Sequence, residues 1–435
     1  MSVIAPKFRL GYLIKGITDN IFWIIVILTL VGIPVVQIVL IYIDFPIIDG
    51  EIWNPFRVLD AITHPERALP LVKSFMQTDF FKVAAFPGFG FAAAIAGGVI
   101  FVERKLLAKL QLRVGPFYCG KVEGLLQLVG DGLKLLSKEI IIPAKADKPL
   151  FWAAPVLFAA TAGAFVALIP VAPGWVVADI DLGLLAVFAV IGFFPIITIV
   201  SAWSANSKFP FIGGIRALYQ MVSFEIPLIL SLLGIVMLTG TLNLMEIVES
   251  QANFPWIIFM PIGAIVFFIT ILAELERIPF DLPEAESEIV AGWLTEFSGM
   301  MYGLVQLGSY LKLYAFAALF VVLFLGGWNG PWFYPMEPIA EVITDGVVLV
   351  PDALTLEIEG GLLFSQEMIN GLIWFILKTV GVILVILIPR GVFPRIRIDL
   401  LLQIGWYKLI VLAFVNIFIA LALVYGGIIG PEGIL

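Results

Sequence analysis

The chain has 435 residues, of which 61% are hydrophobic and only 13% are charged, with a formal net charge of −8 and a mean hydropathy of +1.08. Because soluble domains are only about 45–50% apolar, this composition excludes an ordinary soluble enzyme. Cys119 and His64 are the sole cysteine and histidine, so we expect no disulfide, no cysteine-ligated cluster and no bis-histidine haem within the chain. We also expect no metal site, no cofactor held by the chain alone and no nucleic-acid partner.

Nine apolar runs are long enough to cross a membrane, because about 20 helical residues span the hydrocarbon core. We therefore expect an all-α polytopic membrane protein with about nine transmembrane helices. The runs are Ile21–Ile43, Val83–Val102, Phe151–Pro170, Leu182–Trp203, Val222–Leu238, Trp256–Ala273, Tyr302–Leu325, Gly371–Ile388 and Leu409–Ile429. The first run is too long for the core of a signal peptide and lacks a small-residue cleavage site, so we interpret it as a retained helix.

Basic residues are concentrated in alternate loops, which orients the chain under the positive-inside rule. With a cytoplasmic N-terminus, the outside segments hold only Arg57, Arg67, Lys73 and Lys82. The inside segments hold Lys7, Arg9, Lys15, the basic residues from Arg104 to Lys148, Lys208, Arg216, Arg277, Arg390, Arg395, Arg397 and Lys408. We predict a multi-pass protein of the plasma membrane with its C-terminus outside and two long external segments, Asp44–Lys82 and Asn329–Asn370.

The segment Gly124–Ile141 has the pattern of an amphipathic helix that lies in the membrane interface. Its apolar residues recur at helical spacing, and its polar residues interrupt them. The apolar set is Leu125, Leu128, Val129, Leu133 and Leu136, and the polar set is Asp131, Lys134, Lys138 and Glu139.

Four ionisable residues lie within or at the ends of apolar runs, where charge is costly and usually functional. Glu225 is at the start of a run and Glu274 at the end of another, and Lys378 lies in the middle of a third. We interpret these three as functional. Lys312 either pairs with a carboxylate or extends to the membrane surface, and both interpretations remain open.

The segment Leu272–Thr295, LAELERIPFDLPEAESEIVAGWLT, holds six carboxylates between two apolar runs, namely Glu274, Glu276, Asp281, Glu284, Glu286 and Glu288. We call it the acidic loop. Asp281 followed by Glu284 fits a capping box, which predicts a short helix beginning there. Glu284 and Glu288 would then share one helix face and raise each other's proton affinity, which suits proton exchange near neutral pH.

Several motifs resemble signature segments of one family, the H-type membrane subunits of complex I (NADH-quinone oxidoreductase). They are ERKLLAKLQLRVGP, GDGLKLLSKE, PGWVVADIDLGLL, SANSKFPFIGGIRALYQMVSFE, PFDLPEAESEIVAGWLTEFSGM and PRIRIDLLLQIGW, and the resemblance runs from Phe86 to Tyr425. It implies eight family helices in residues 83–435 with an external insertion at about 329–370. Residues 1–82 would then be an addition, consisting of one transmembrane helix and an external loop.

The resemblance also implies a role in a proton-translocating quinone oxidoreductase. Members of this family form the quinone-binding chamber and the start of the proton path between the peripheral and membrane arms. The substrate would be a quinone, and the iron–sulphur cluster would belong to a partner protein of the complex. The implied partners are the peripheral-arm quinone-site and iron–sulphur subunits, the small membrane subunits, the antiporter-like subunits and the lipid bilayer.

The family's functional residues map onto this sequence one by one. Those implied for the quinone chamber are Glu103, Arg104, Arg216, Arg277, Asp281, Glu284, Glu286 and Glu288. Those implied for the proton path are Asp131, Lys134, Glu139, Glu225, Glu274 and Lys378.

The sequence departs from the common family pattern at several positions. Glu276 stands where relatives commonly carry asparagine, Phe224 replaces a tyrosine, and Ser309 replaces a glutamate. A further glutamate found in some relatives near Ile191–Gly192 is missing. Glu276 and the Gly308–Tyr310 segment resemble the cyanobacterial, plastid and archaeal branches, in which the electron donor is not always NADH.

Two other functions fit parts of the pattern. The membrane anchor of an energy-converting hydrogenase would copurify with a nickel-iron protein and ignore quinone-site inhibitors, but the segment PFDLPEAESE argues against it. A stand-alone secondary transporter would show internal repeats in two halves, which we do not find, and would transport as a purified single chain.

Overall fold

The fold is described from a computed structural model covering residues 79–84, 86–119, 124, 126–331, 366–426, 429–430 and 433–434. The predicted helix Ile21–Ile43, His64 and nearly all of the insertion Asn329–Asn370 lie outside these residues. The predicted boundary at residue 82 falls inside the first described helix.

The described residues are overwhelmingly helical. In chain order the helices are α1 (Asp79–Ala84), α2 (Phe89–Leu110), α3 (Gln127–Ser137), α4 (Lys148–Ala167), α5 (Gly183–Ile191), α6 (Phe193–Ser204), α7 (Lys208–Thr239), α8 (Leu244–Glu249), α9 (Pro261–Glu274), α10 (Glu286–Ile289), a 3₁₀ turn (Gly292–Leu294), α11 (Gly299–Phe324), α12 (Gln366–Val392), α13 (Ile398–Gln403), a π-helical turn (Ile404–Leu409) and α14 (Ile410–Tyr425). A short antiparallel ladder pairs β1 (Ile429–Gly430) with β2 (Gly433–Ile434).

Eight of the nine predicted transmembrane runs fall in the described part of the chain, and all eight are helical. Seven helical segments there are long and apolar enough to cross a membrane, and α9 is a shorter apolar helix. Many large apolar side chains on these helices are exposed, among them Leu157, Phe193 and Phe418. Such extensive exposed apolar surface is typical of contact with lipid. The structure confirms an all-α polytopic membrane protein.

Helix α7 begins at Lys208 rather than at Val222, so Glu225 lies well inside the helix and not at its start as the sequence indicated. A Cβ atom on Gly213 would lie 2.7 Å from the Cα of Gly292, so the absence of a side chain lets α7 and the end of the acidic loop touch. Pro227 is accommodated within the helix.

The predicted run Leu182–Trp203 is divided at Gly192 into two helices, α5 and α6. A Cβ atom on Gly192 would lie 3.2 Å from Oε1 of Glu225. The bare backbone at this break therefore makes room for the Glu225 carboxylate. Breaks in membrane helices usually occur where the backbone is enclosed by protein or lines a cavity.

Among the candidate membrane spans in the described residues, helix α11 is the most enclosed, since 83% of its apolar 18-residue stretch is buried. It packs against α4, α2 and α12, and its segment from Leu311 to Phe324 is buried at every residue. Because the helix is surrounded by protein on all sides over this length, Lys312 cannot reach the membrane surface. Its ammonium group must find partners inside the bundle.

Candidate functional site

A buried carboxylate at the end of α2 is held by two arginines from distant segments. Glu103 is 2% exposed, and Nη1 of Arg277 donates to its Oε1 at 2.7 Å. Arg390, near the end of α12, forms an ion pair with the same oxygen. The guanidinium of Arg277 also lies 5.0 Å from the ring centre of Tyr310, an arrangement that favours a cation. We call these four residues the Glu103 clamp.

The acidic loop differs from its predicted form. Within the loop, the α-helix that follows Asp281 is α10, which begins at Glu286 with Ala285 as its N-cap, so the predicted capping box of Asp281 and Glu284 is wrong. Asp281 instead accepts a hydrogen bond at 3.1 Å from Arg395, beyond α12. Since Glu284 precedes the helix, it does not share a helix face with Glu288.

Two arginines from other segments hold the loop. Besides the contact of Arg395 with Asp281, Nη1 of Arg216 on α7 donates to Oε2 of Glu288 at 2.6 Å. The Glu288 side chain is 56% exposed, so this ion pair stabilises the fold only weakly. Glu284 is half-buried, and the side chain of Glu286 lies outside the described residues.

Gln220 is an important loop contact that the sequence analysis missed. This buried residue of α7 donates from Nε2 to the carbonyl oxygens of Ala273 and Phe280, both at 2.7 Å. It therefore joins the end of α9 to the loop. A lone glutamine in an apolar helix was the available signal, because a buried amide needs partners.

Glu276 lies inside the protein although it belongs to the loop. The residue is 8% exposed, and Nε1 of Trp293 donates to its Oε2 at 3.4 Å. Burial first, and repulsion by Glu284 second, raise the pKa of Glu276 to about 8. The attraction of Lys312 and the indole hydrogen bond oppose this rise.

A lysine and two glutamates form a charged group within the helical bundle. Nζ of Lys312 lies 2.6 Å from the carbonyl oxygen of Glu274 and 3.4 Å from its Oε2, and the two side chains are 3% and 1% exposed. The same ammonium group lies 4.3 Å from the ring centre of Phe194 and attracts Glu225 electrostatically. Of the two possibilities left open for Lys312, the structure selects pairing with a carboxylate. We call Lys312, Glu274 and Glu225 the Lys312 cluster.

The interfacial helix is shorter than predicted, since α3 covers only Gln127–Ser137. Asp131 is on its half-buried side and pairs with Arg104 of α2, so it does not belong to a solvated polar face. Partial burial disfavours the charged form of Asp131, but hydrogen bonds from Arg104 and Gln127 outweigh this effect and lower its pKa. Lys134 and Glu139 are exposed.

Lys378 is separated from the Lys312 cluster. Its Nζ donates to the carbonyl oxygens of Leu325, Gly327 and Asn329 at 2.7, 3.1 and 2.5 Å, where it caps the C-terminal end of α11. Lys312 lies near the middle of the same helix, and the step of 13 positions from Lys312 to Leu325 corresponds to roughly 20 Å of helix. The two lysines therefore lie at different depths.

An apolar cleft of about 410 Å³ lies between α4 and α6, and the ionisable residues named above do not line it. Its walls are Leu150, Ala153, Ala154, Leu157, Thr161, Phe193, Ile196, Ile197 and Val200. The cleft has no charged group to bind or orient a polar headgroup.

The chain is similar in sequence to known proteins over most of its length. The family model described as NADH dehydrogenase matches residues 84–421. The H subunits of NADH-quinone oxidoreductase from Bacillus thuringiensis (strain Al Hakam), Bacillus cereus (strain AH187) and Bacillus anthracis (strain A0248) are each 42% identical to the chain over 340 residues, which is 78% of this chain and 92% of each relative.

The matched region covers the described transmembrane helices almost completely, together with the Glu103 clamp, the acidic loop and the Lys312 cluster. The chain therefore belongs to the NADH dehydrogenase family, as a member similar to the H-type membrane subunits of NADH-quinone oxidoreductase, which is complex I.

Proposed function

We propose that this chain forms the quinone chamber of a proton-translocating quinone oxidoreductase and the first part of its proton path. The Glu103 clamp supports this most strongly. Glu103, Arg277 and Arg390 come from three segments and meet at a buried oxygen. Buried ion pairs are costly to maintain and are therefore expected mainly where they have a function. The names of the relatives favour this function over that of a hydrogenase anchor.

The chemistry explains the need for such charges. A quinone takes up two electrons and two protons to become a quinol, and negative charge develops on its oxygens before the protons arrive. The electrons would come from an iron–sulphur centre of a partner protein in the complex. In this chain, Arg104, Arg216 and Arg277 would stabilise the negative charge, since cations that the fold already holds in place need little reorganisation when that charge develops.

The loop carboxylates would respond to the change of charge in the chamber. Arg277 stands one residue from Glu276 and three residues from Glu274, so the clamp and the Lys312 cluster share one short segment. A shift of charge at the clamp acts on the cluster over a short distance in a medium that screens poorly. Glu274 and Glu225 would then pass this change of charge into the membrane arm. Asp131, Lys134 and Glu139 would belong to the part of the proton path near the peripheral arm, and Lys378 would belong to the part at the C-terminal end of α11.

The proposed orientation puts the Glu103 clamp on the cytoplasmic side of the membrane and the C-terminus on the outside. It is supported by contacts between segments that the charge distribution assigns to one side, such as Arg390 with Glu103 and Arg395 with Asp281. Segments assigned to the other side also meet, since Nδ2 of Asn243 donates to Asp179 at 3.3 Å. The peripheral-arm subunits would bind at the cytoplasmic side and the antiporter-like subunits within the membrane.

A photoreactive quinone analogue tests the chamber in the purified complex. After illumination, we expect labelled peptides from the end of α2 and from the acidic loop, and excess quinone should prevent the labelling. The apolar cleft between α4 and α6 is the internal control. Labelling confined to the cleft, or labelling that quinone does not prevent, would refute the proposed chamber.

A further inference from the structure

We propose that Glu276 exchanges protons between the acidic loop and the Lys312 cluster, a role that rests on the proposed function of the chain. This residue was not among those that the family resemblance assigned to the chamber or the path. In the fold it interacts electrostatically both with Lys312 and with the loop carboxylates Glu284 and Asp281.

The surroundings of Glu276 are those of an enclosed and incompletely bonded carboxyl group. The residue is 8% exposed, and its Oε1 has no hydrogen-bond partner among the described residues. Its other oxygen receives only the 3.4 Å contact from Trp293. Burying a carboxyl group that lacks partners is far less costly once a proton neutralises it, so the site favours the protonated acid.

The backbone of Glu276 is also unusual, with φ at 51°. This left-handed conformation is unfavourable for a non-glycine residue and persists where the surrounding structure enforces it. Here it follows the C-terminal end of α9 and turns the next residue, Arg277, towards Glu103. Glu276 and the clamp are thus fixed by the same turn.

The charged groups that act on Glu276 come from both sides of it. Glu284 and Asp281 belong to the loop and disfavour its ionisation, whereas Lys312 of α11 favours it. Trp293, from the 3₁₀ turn, is the polar neutral partner. The resulting pKa of about 8 leaves the group able to gain and lose a proton close to neutral pH.

Lys312 connects the loop to the membrane interior because it attracts Glu276, Glu274 and Glu225. When Glu276 releases its proton, its new negative charge competes with Glu274 for the lysine. One proton leaves the loop and one is taken up within the cluster, so the total charge is unchanged. An asparagine at position 276 would leave the cluster without this connection.

The test is the pH profile of proton translocation by the assembled complex in vesicles, driven by its own electron donor. The wild type should lose translocation as Glu276 ionises above about pH 8. Glu276→Gln should remove this alkaline limb and lower the rate at least about tenfold, since positioned proton-transfer groups contribute that much or more. Glu249→Gln, which removes an exposed carboxylate on α8, is the matched control and should behave as wild type.

Substitutions of two residues that surround Glu276 should move the alkaline limb of the pH profile in opposite directions. Trp293→Phe removes a hydrogen bond that favours the carboxylate, so the limb should shift to higher pH. Glu284→Gln removes a repelling charge, so the limb should shift to lower pH. A purely structural role would not produce opposite shifts.

An unchanged limb in Glu276→Gln, or shifts of the same sign in Trp293→Phe and Glu284→Gln, would overturn the inference. If quinone-site inhibitors still block the complex in that case, only the role of Glu276 fails. Insensitivity of the wild type to those inhibitors would instead contradict the proposed function itself.

Discussion

Arg277 donates to Glu103 at 2.7 Å although the two residues are 174 positions apart in the chain. The bond joins the end of α2 to the segment that follows α9. Arg390 brings the end of α12 to the same carboxylate. Ion pairs inside the protein therefore hold together these three segments, which the sequence assigns to the cytoplasmic side.

Replacing Arg277 with methionine should destabilise the complex and abolish quinone reduction. The substitution leaves Glu103 buried and less well compensated, and breaking a buried pair typically costs about 3–5 kcal/mol. Arg277→Lys should restore part of the stability but little activity, because lysine lacks the planar group that stacks on Tyr310. Thermal unfolding and quinone reductase assays measure both effects, and Arg395→Lys is the more exposed control. Full activity in Arg277→Met would contradict the role of the clamp.

Gln220→Leu should loosen the acidic loop without changing any charge. It removes two hydrogen bonds to backbone carbonyls, and each buried group left without a partner costs about 1–3 kcal/mol. Hydrogen exchange across residues 273–281 should increase, and quinone affinity should fall. Gln306→Leu on α11 removes one bond, to Tyr302, and is the matched control. Equal exchange in the two variants would show that Gln220 does not fix the loop.

Lys312→Met should be among the most harmful substitutions in the bundle, because it leaves Glu274 buried without a cation. The double variant Lys312→Met with Glu274→Gln should recover most of the stability, since removing both charges of a buried pair is often neutral. It should not recover proton translocation. Thermal unfolding of the assembled complex gives the stability. Equal loss of stability in the single and double variants would argue against direct pairing.

The raised pKa of Glu276 predicts a specific pH dependence of stability. The native state holds this proton more tightly than the unfolded chain, so the stability contribution is full below about pH 4.5 and is lost as the pH rises through about 8. Glu276→Gln should therefore be more stable than wild type at pH 8 and show a flatter profile. Melting temperatures measured across this range check the sign. A wild-type profile that rises through the same interval would contradict it.

The positions of the membrane helices could be predicted from the sequence because hydrophobic length alone determines them. Their ends could not, since α7 extends from Lys208 through polar residues that lie outside the apolar run beginning at Val222. The division at Gly192 follows from Pro195, which has no N–H to bond to the carbonyl oxygen of Ile191, whereas the approach of the Glu225 carboxylate to Gly192 is evident only in the folded chain.

The sequence indicated individual residues of the candidate site but not which of them form ion pairs with one another. The resemblance indicated Glu103, Arg277 and Glu274, whereas the partners Arg390 and Lys312 became evident only in the folded chain. The capping-box prediction failed because α10 begins only at Glu286, beyond the reach of the Asp281 carboxylate, which instead pairs with Arg395 from a distant segment.

The most direct test of coupling through the buried charges is the number of protons translocated per quinone reduced, measured with the assembled complex in sealed vesicles. Glu225→Gln and Glu274→Gln are predicted to lower this ratio strongly, whereas Glu249→Gln should leave it unchanged. A wild-type ratio and a wild-type rate of quinone reduction in both glutamine variants would contradict the account.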